Sequence, residues 1–158
     1  MRIGRMREKG RLGERGAALV EMAIVTPFLL LVLFGTVEFA YKFAQYNEIR
    51  HASREGARYA SVSNEALDLD GDGVITATDV VMATCDAMSL PAAGASITTT
   101  MTGAEIGDMA TLQISVAVSS LSNVPLVTGL LPSSLSDTAT FRLEQPATWS
   151  AFTNQPCP

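Results

Sequence analysis

From Ala17 to Val37 the chain runs for 21 residues with a single charged side chain, Glu21. As a helix this stretch is about 31 Å long, close to the roughly 30 Å of hydrocarbon in a bilayer. Three readings compete: a membrane span, the buried helix of a core, or a secretory signal. The flanks favour the span. Residues 1–16 hold six basic side chains (Arg2, Arg5, Arg7, Lys9, Arg11, Arg15) against Glu8 and Glu14, a net charge of +4. The remaining residues hold five basic and fourteen acidic side chains, a net charge of −9. Basic residues before the span and Glu38 after it place the N-terminus in the cytoplasm and the body outside. Cleavage as a secretory signal wants small residues just past the apolar run, and Glu38, Phe39 and Ala40 put a charge there. An acidic body with no basic face left after the head argues against nucleic-acid binding. With 158 residues in all, the chain has room for one domain beside the anchor.

Beyond Glu38 the pattern becomes amphipathic. Phe39, Phe43, Tyr46, Ile49, Ser53, Gly56 and Ala60 recur at three- and four-residue steps, which predicts one buried helical stripe. Lys42, Glu48, Arg50, Arg54, Glu55 and Arg58 mostly fall off it. The small residues Ala52, Ser53, Gly56, Ala57, Ala60 and Ser61 leave room for close packing. One helix is expected from about Ala17 to Ser61, half in the membrane and half in a soluble domain, with Pro27 kinking or softening it. His51, the only histidine, reads as a surface residue, and histidine-based hydrolysis lacks support.

"DLDGDGVITATD", Asp68 to Asp79, has the layout of an EF-hand calcium loop. Asp68, Asp70 and Asp72 stand at positions 1, 3 and 5, Gly73 at the sharp turn, Val74 where a backbone carbonyl binds, Thr76 at position 9 and Asp79 at the closing position. Hard oxygen donors in this order suit Ca2+. An Asp at the closing position predicts a weak site, on the order of 10⁻⁴–10⁻³ M. The other reading is an Asp-Gly turn with solvated carboxylates. Thr76 and Asp79 also make a capping box for a following helix, "ATDVVMATCDAM". The loop resembles one half of a dockerin repeat, but no second copy follows.

Ser96–Thr102 and Thr111–Leu121 read as strands, the second with Leu112, Ile114, Val116 and Val118 alternating inward. "NVPLVTGLLPSS", Asn123 to Ser134, reads as an apolar loop whose Leu126, Val127, Leu130 and Leu131 either cover the core, the favoured reading, or form an exposed subunit contact. Ala139, Phe141 and Leu143 alternate in a last strand. Trp149 and Phe152 pin the tail. Cys85 and Cys157 are the only cysteines; in an exported body one disulfide is expected between them, the alternative being two free thiols. The sum is an α+β fold: a long N-terminal helix on a small antiparallel sheet, with the loop and short helix inserted between. It divides into a leader (1–16), a transmembrane helix (17–37) and an extracytoplasmic domain (38–158) holding the 68–79 loop.

A basic leader, Gly16, four residues, Glu21 and an apolar helix form the layout of a type IV prepilin processing site. "RGAALVEMAIVTPFLLLVLFGTVEFA" followed by "NEIRHASREGARYAS" resembles the TadE-like family of the tight-adherence pilus system, and "TATFRLEQP" resembles its closing strand. Met22 stands where the processing motif usually has an aromatic residue. The resemblance implies a pilin-like roll, a minor pilin or pseudopilin of a Tad pilus, and no catalysed reaction. It implies cleavage between Gly16 and Ala17 by a prepilin peptidase. It also implies that Glu21 pairs with the new amine at Ala17, in one subunit or across to a neighbour; the plainer alternative is that Glu21 reaches the headgroups. The partners implied are sibling pilin or pseudopilin subunits, the peptidase and membrane lipid. The location implied is the inner membrane, with the body outside. A competing function is a membrane-anchored, calcium-dependent adhesion or binding module.

Overall fold

The computed structural model describes residues 8–62, 68, 69, 71, 73–88, 94–118, 120, 121 and 129–158. Helix α1 spans Glu8–Val62 and helix α2 spans Ala77–Asp86. The strands are β1 (Ala95–Met101), β2 (Met109–Ala117), β3 (Ser134–Arg142) and β4 (Gln155–Pro156). They form one antiparallel sheet in the order β3-β2-β1-β4. The fold is the α+β arrangement expected, a long N-terminal helix on a small antiparallel sheet.

Helix α1 starts at Glu8, nine residues before the expected Ala17. Residues 8–15 carry Glu, Arg, Lys and Leu, good helix formers, beside the poor formers Gly10 and Gly13, and propagating an existing helix is cheap where nucleating one is not. Pro27 sits inside α1 without ending it. Pro27 has no N–H to give its own turn. In the turn just before it, the Thr26 hydroxyl donates to the Met22 carbonyl at 2.6 Å.

The core lies between the distal half of α1, the sheet and α2. Ile49, Ala52 and Ala60 of α1 meet Ile97, Leu112 and Ile114 of the sheet and Val80 and Val81 of α2, all buried. In β2 the residues Ala110, Leu112, Ile114 and Val116 are buried while their neighbours are not, the period-two signature of a sheet with one covered face. Each buried Ile or Leu contributes about 1.5–3 kcal/mol. Gly56 sits where α1 meets α2, and a methyl group there would collide with the Thr84 side chain. This close approach is what the run of small residues in α1 is for.

The disulfide between Cys85 and Cys157 is formed. It joins α2 to the tail across 72 residues, and a loop of that length is stabilised by about 4 kcal/mol through its effect on the unfolded chain. The tail is further tied to β1. Thr99 N donates to the Phe152 carbonyl at 2.8 Å, and Phe152 N donates to the Thr99 hydroxyl at 3.1 Å. Trp149 and Phe152 are buried, as the sequence predicts.

The expected buried stripe of α1 is right from Ile49 onward and displaced before it. Phe39 and Phe43 are 62% and 56% exposed and stack on each other at 6.4 Å. Glu38, Lys42 and Gln45 take the inward positions instead. For Glu38 and Lys42 the reason is backbone satisfaction. Both carboxylate oxygens of Glu38 accept from Leu121 N, at 3.0 and 3.1 Å. Lys42 Nζ donates to the Val118 carbonyl at 3.2 Å. Here β2 has ended and its backbone groups need partners, and an orphaned buried polar group costs more than an exposed phenylalanine. Leu130 is 81% exposed, so it does not cover the core, the favoured of the two readings, and fits the exposed one. Leu126 and Val127 of the same apolar loop lie outside the described residues.

Candidate functional site

Two regions carry the residues singled out by sequence: the proximal half of α1 and the 68–79 loop. Gly16, Ala17 and Glu21 all lie on α1 and are exposed. Nothing comes within 4 Å of where a Gly16 side chain would start. The best 18-residue window of the apolar stretch has a mean hydropathy of 2.4 and none of it is buried in the fold. A helix so apolar, with no protein covering it, is a single-pass membrane anchor by length and composition. Leu19, Val20, Ile24, Phe28 and Leu31 all present themselves outward, and Glu21 shares that uncovered surface.

In the loop the structure brings the first and last positions of the pattern together. The Asp68 carboxylate accepts from Gly71 N at 2.7 Å and Gly73 N at 2.8 Å. Gly71 and Gly73 have φ of 76° and 81°, left-handed values that cost other residues strain. Asp79 is fully buried. It accepts from Leu69 N at 3.0 Å, and its other oxygen accepts from Thr76 N at 2.8 Å and from the Thr76 hydroxyl at 2.9 Å. The capping box is therefore present: Thr76 caps α2 and Asp79 reaches back to it. Val74 is exposed, and the Ile75 carbonyl accepts from the Thr148 hydroxyl at 2.8 Å, which ties the loop to the tail. Asp70 and Asp72 lie outside the described residues. Among the described residues no three His, Cys, Asp or Glu side chains gather as a metal cluster.

A third feature escaped the sequence reading. Arg54 and Arg58 of α1 and Arg142 of β3 line one open groove of about 340 Å³ between helix and edge strand, with Phe141 and Ala57 also lining it. The sequence signal was there, since Arg50, Arg54 and Arg58 fall at four-residue steps. What it could not supply was Arg142, which the sheet brings alongside. Glu55 bonds Arg58 at 3.0 Å and raises its pKa, so that guanidinium is charged throughout.

The uncovered apolar helix, the acid one turn inside it and the sheet laid on its distal half define a membrane-anchored protein with a small α+β head. A family model described as TadE-like protein matches residues 16–58, so the anchor and most of the distal half of α1 are similar to that family. No curated protein and no solved structure matches the chain.

Proposed function

We propose that this chain is a structural subunit of the pilin or pseudopilin type in a Tad pilus, cut between Gly16 and Ala17 by a prepilin peptidase, and that it catalyses no reaction. The observation that carries the reading is the TadE-like match, which opens on Gly16 and takes in the whole uncovered apolar segment. After proline, glycine is the residue at which a helix is cheapest to unwind, by about 1 kcal/mol relative to alanine, and a peptidase must unwind α1 to reach the bond. Cleavage leaves an amine at Ala17 one turn from Glu21, at the positive end of the helix dipole. In a low-dielectric assembly that carboxylate and an amine stabilise each other where either alone is costly. The test is the intact mass of the protein purified from its native membranes. A mature N-terminus at Ala17 supports the reading and a retained leader overturns it. Glu21→Ala should leave cleavage normal and assembly poor; unchanged piliation would remove the role given to Glu21.

A calcium ion in the 68–79 loop is a separate proposal. Asp68, Asp70, Asp72, Thr76 and Asp79, with the Val74 carbonyl, would hold it. What supports it is the order of oxygen donors along the sequence and glycine at the left-handed positions; in the structure both oxygens of Asp68 and of Asp79 accept hydrogen bonds, so an ion would have to displace some of them. The ion would neutralise the acidic turn and brace α2, which carries the disulfide. Calorimetric titration of the full chain in micelles should give a weak Kd, on the order of 10⁻⁴–10⁻³ M, lost in Asp68→Ala. No heat in the wild type rules the ion out.

A further inference from the structure

Residues 17–158 contain only five basic side chains against fourteen acidic ones. Lys42 is buried and bonded to Val118, so the exposed cations are Arg50, Arg54, Arg58 and Arg142, of which Arg58 is also paired with Glu55 on its own helix. All four are exposed. Arg50, Arg54 and Arg58 repeat every four residues along α1, and Arg142 faces Arg54 and Arg58 across the groove. All the accessible positive charge of an otherwise acidic head is thus gathered in one strip. The strip has an apolar floor from Phe141 and Ala57.

Carboxylates collect at the far end of the same head. Leu143 N donates to the Asp108 carbonyl at 3.0 Å and Glu144 N to the Ser61 carbonyl at 2.8 Å. These bonds bring Glu105, Asp108 and Glu144 together at the level where α1 ends. Glu144 also stands at the distal mouth of the groove.

We propose that the arginine strip of one copy takes the acidic distal rim of a second copy. The charges match and both surfaces are on the same chain. Arg-carboxylate pairing beside an apolar floor is the favoured chemistry for a contact of this kind. The contact is heterologous, and with an offset along the helix axis between copies it propagates rather than closing into a ring. It also demands a stagger. At 1.5 Å per residue from Glu38, Arg50 stands about 18 Å up the helix, Arg58 about 30 Å and Ser61 about 35 Å. Copies at equal depth in a membrane miss each other; copies offset by roughly 5–17 Å along the helix axis meet. Lipid headgroups do not reach the strip, because the polar layer on each side of a bilayer is only about 5–8 Å deep. The inference deepens the pilus-subunit reading, and it is tested on the chain with or without its leader, so its failure is separate from that of the cleavage.

The experiment is sedimentation velocity of the full chain in detergent micelles at low and high salt. At about 50 mM salt the wild type should run heavier than a monomer, and at about 500 mM, where screening is strong, as a monomer. Arg54→Glu with Arg58→Glu should be monomeric in both, and so should Glu105→Arg with Glu144→Arg. An equimolar mixture of the two double variants should recover the heavy species at low salt, a result that misfolding cannot produce. Emission from the buried Trp149 checks that each head is folded. A wild type that is monomeric at low salt, a double variant that associates like the wild type, or a mixture that stays monomeric despite folded heads overturns the proposal. Association with a different acidic protein in place of a second copy would show as the first of these.

Discussion

Helix α1 is one continuous element living in two environments. From Ala17 to Val37 it is apolar but for Glu21 and almost wholly uncovered; from Glu38 to Gln45 its buried face is polar, and from Ile49 to Ala60 that face is made of apolar and small residues. The change falls within a turn. At Val37 the side chains still point into open space, while Glu38 is fully buried and bonded to Leu121. The lesson is that a helix can change its solvent without changing its backbone. What changes is the side-chain code: uniform hydrophobicity for lipid, small residues and a stripe for protein. The junction is held by charges, Glu38 and Lys42, turned inward to serve the end of β2.

The contrast can be broken from either side. The largest effect is expected in the head. Cys85→Ala with Cys157→Ala should cost about 4 kcal/mol of head stability, read by denaturant unfolding through Trp149, with membrane extraction unchanged. If both changed, the two halves would not be independent. Leu30→Arg should cost about 3 kcal/mol of insertion, seen as loss from the carbonate-resistant membrane fraction, while the head unfolds as before. Smaller again, Gly56→Ala drives a methyl into Thr84 and should cost about 2 kcal/mol by the same Trp149 assay. Gly35→Ala, in the membrane half with open space around it, should be harmless to the head. Thr76→Ala removes the cap of α2 and should cost about 1 kcal/mol. An equal loss from Thr36→Ala, whose hydroxyl only bonds its own helix at Val32, would deny that capping is special.

Much of this contrast was legible in the sequence, and for identifiable reasons. The apolar span, the alternation in β2 and the Thr76–Asp79 box each depend on residues a few positions apart. The disulfide was legible because two cysteines leave one pairing. The misplaced face at Phe39 and Phe43 was not. Periodicity assigns phenylalanines inward, and only the backbone end of β2, some eighty residues away, makes Glu38 and Lys42 the better occupants. Strand β3 begins at Ser134 because it pairs along the whole of β2, and β4 exists because Gln155 and Pro156 meet Ile97 and Ser96. Both are long-range facts. Gly16 and Glu21 were singled out by a motif and Asp68 and Asp79 by a loop pattern, while the arginine groove was legible only in part.

The division of α1 is tested most directly by cysteine accessibility from outside the cell. Asn47→Cys and Val25→Cys would be placed singly and treated with a membrane-impermeant maleimide in intact spheroplasts; the native cysteines are already paired. The account predicts rapid labelling at position 47 and none at position 25 until the membrane is dissolved. Labelling at position 25 in intact membranes, or protection at position 47 until they are opened, would contradict it.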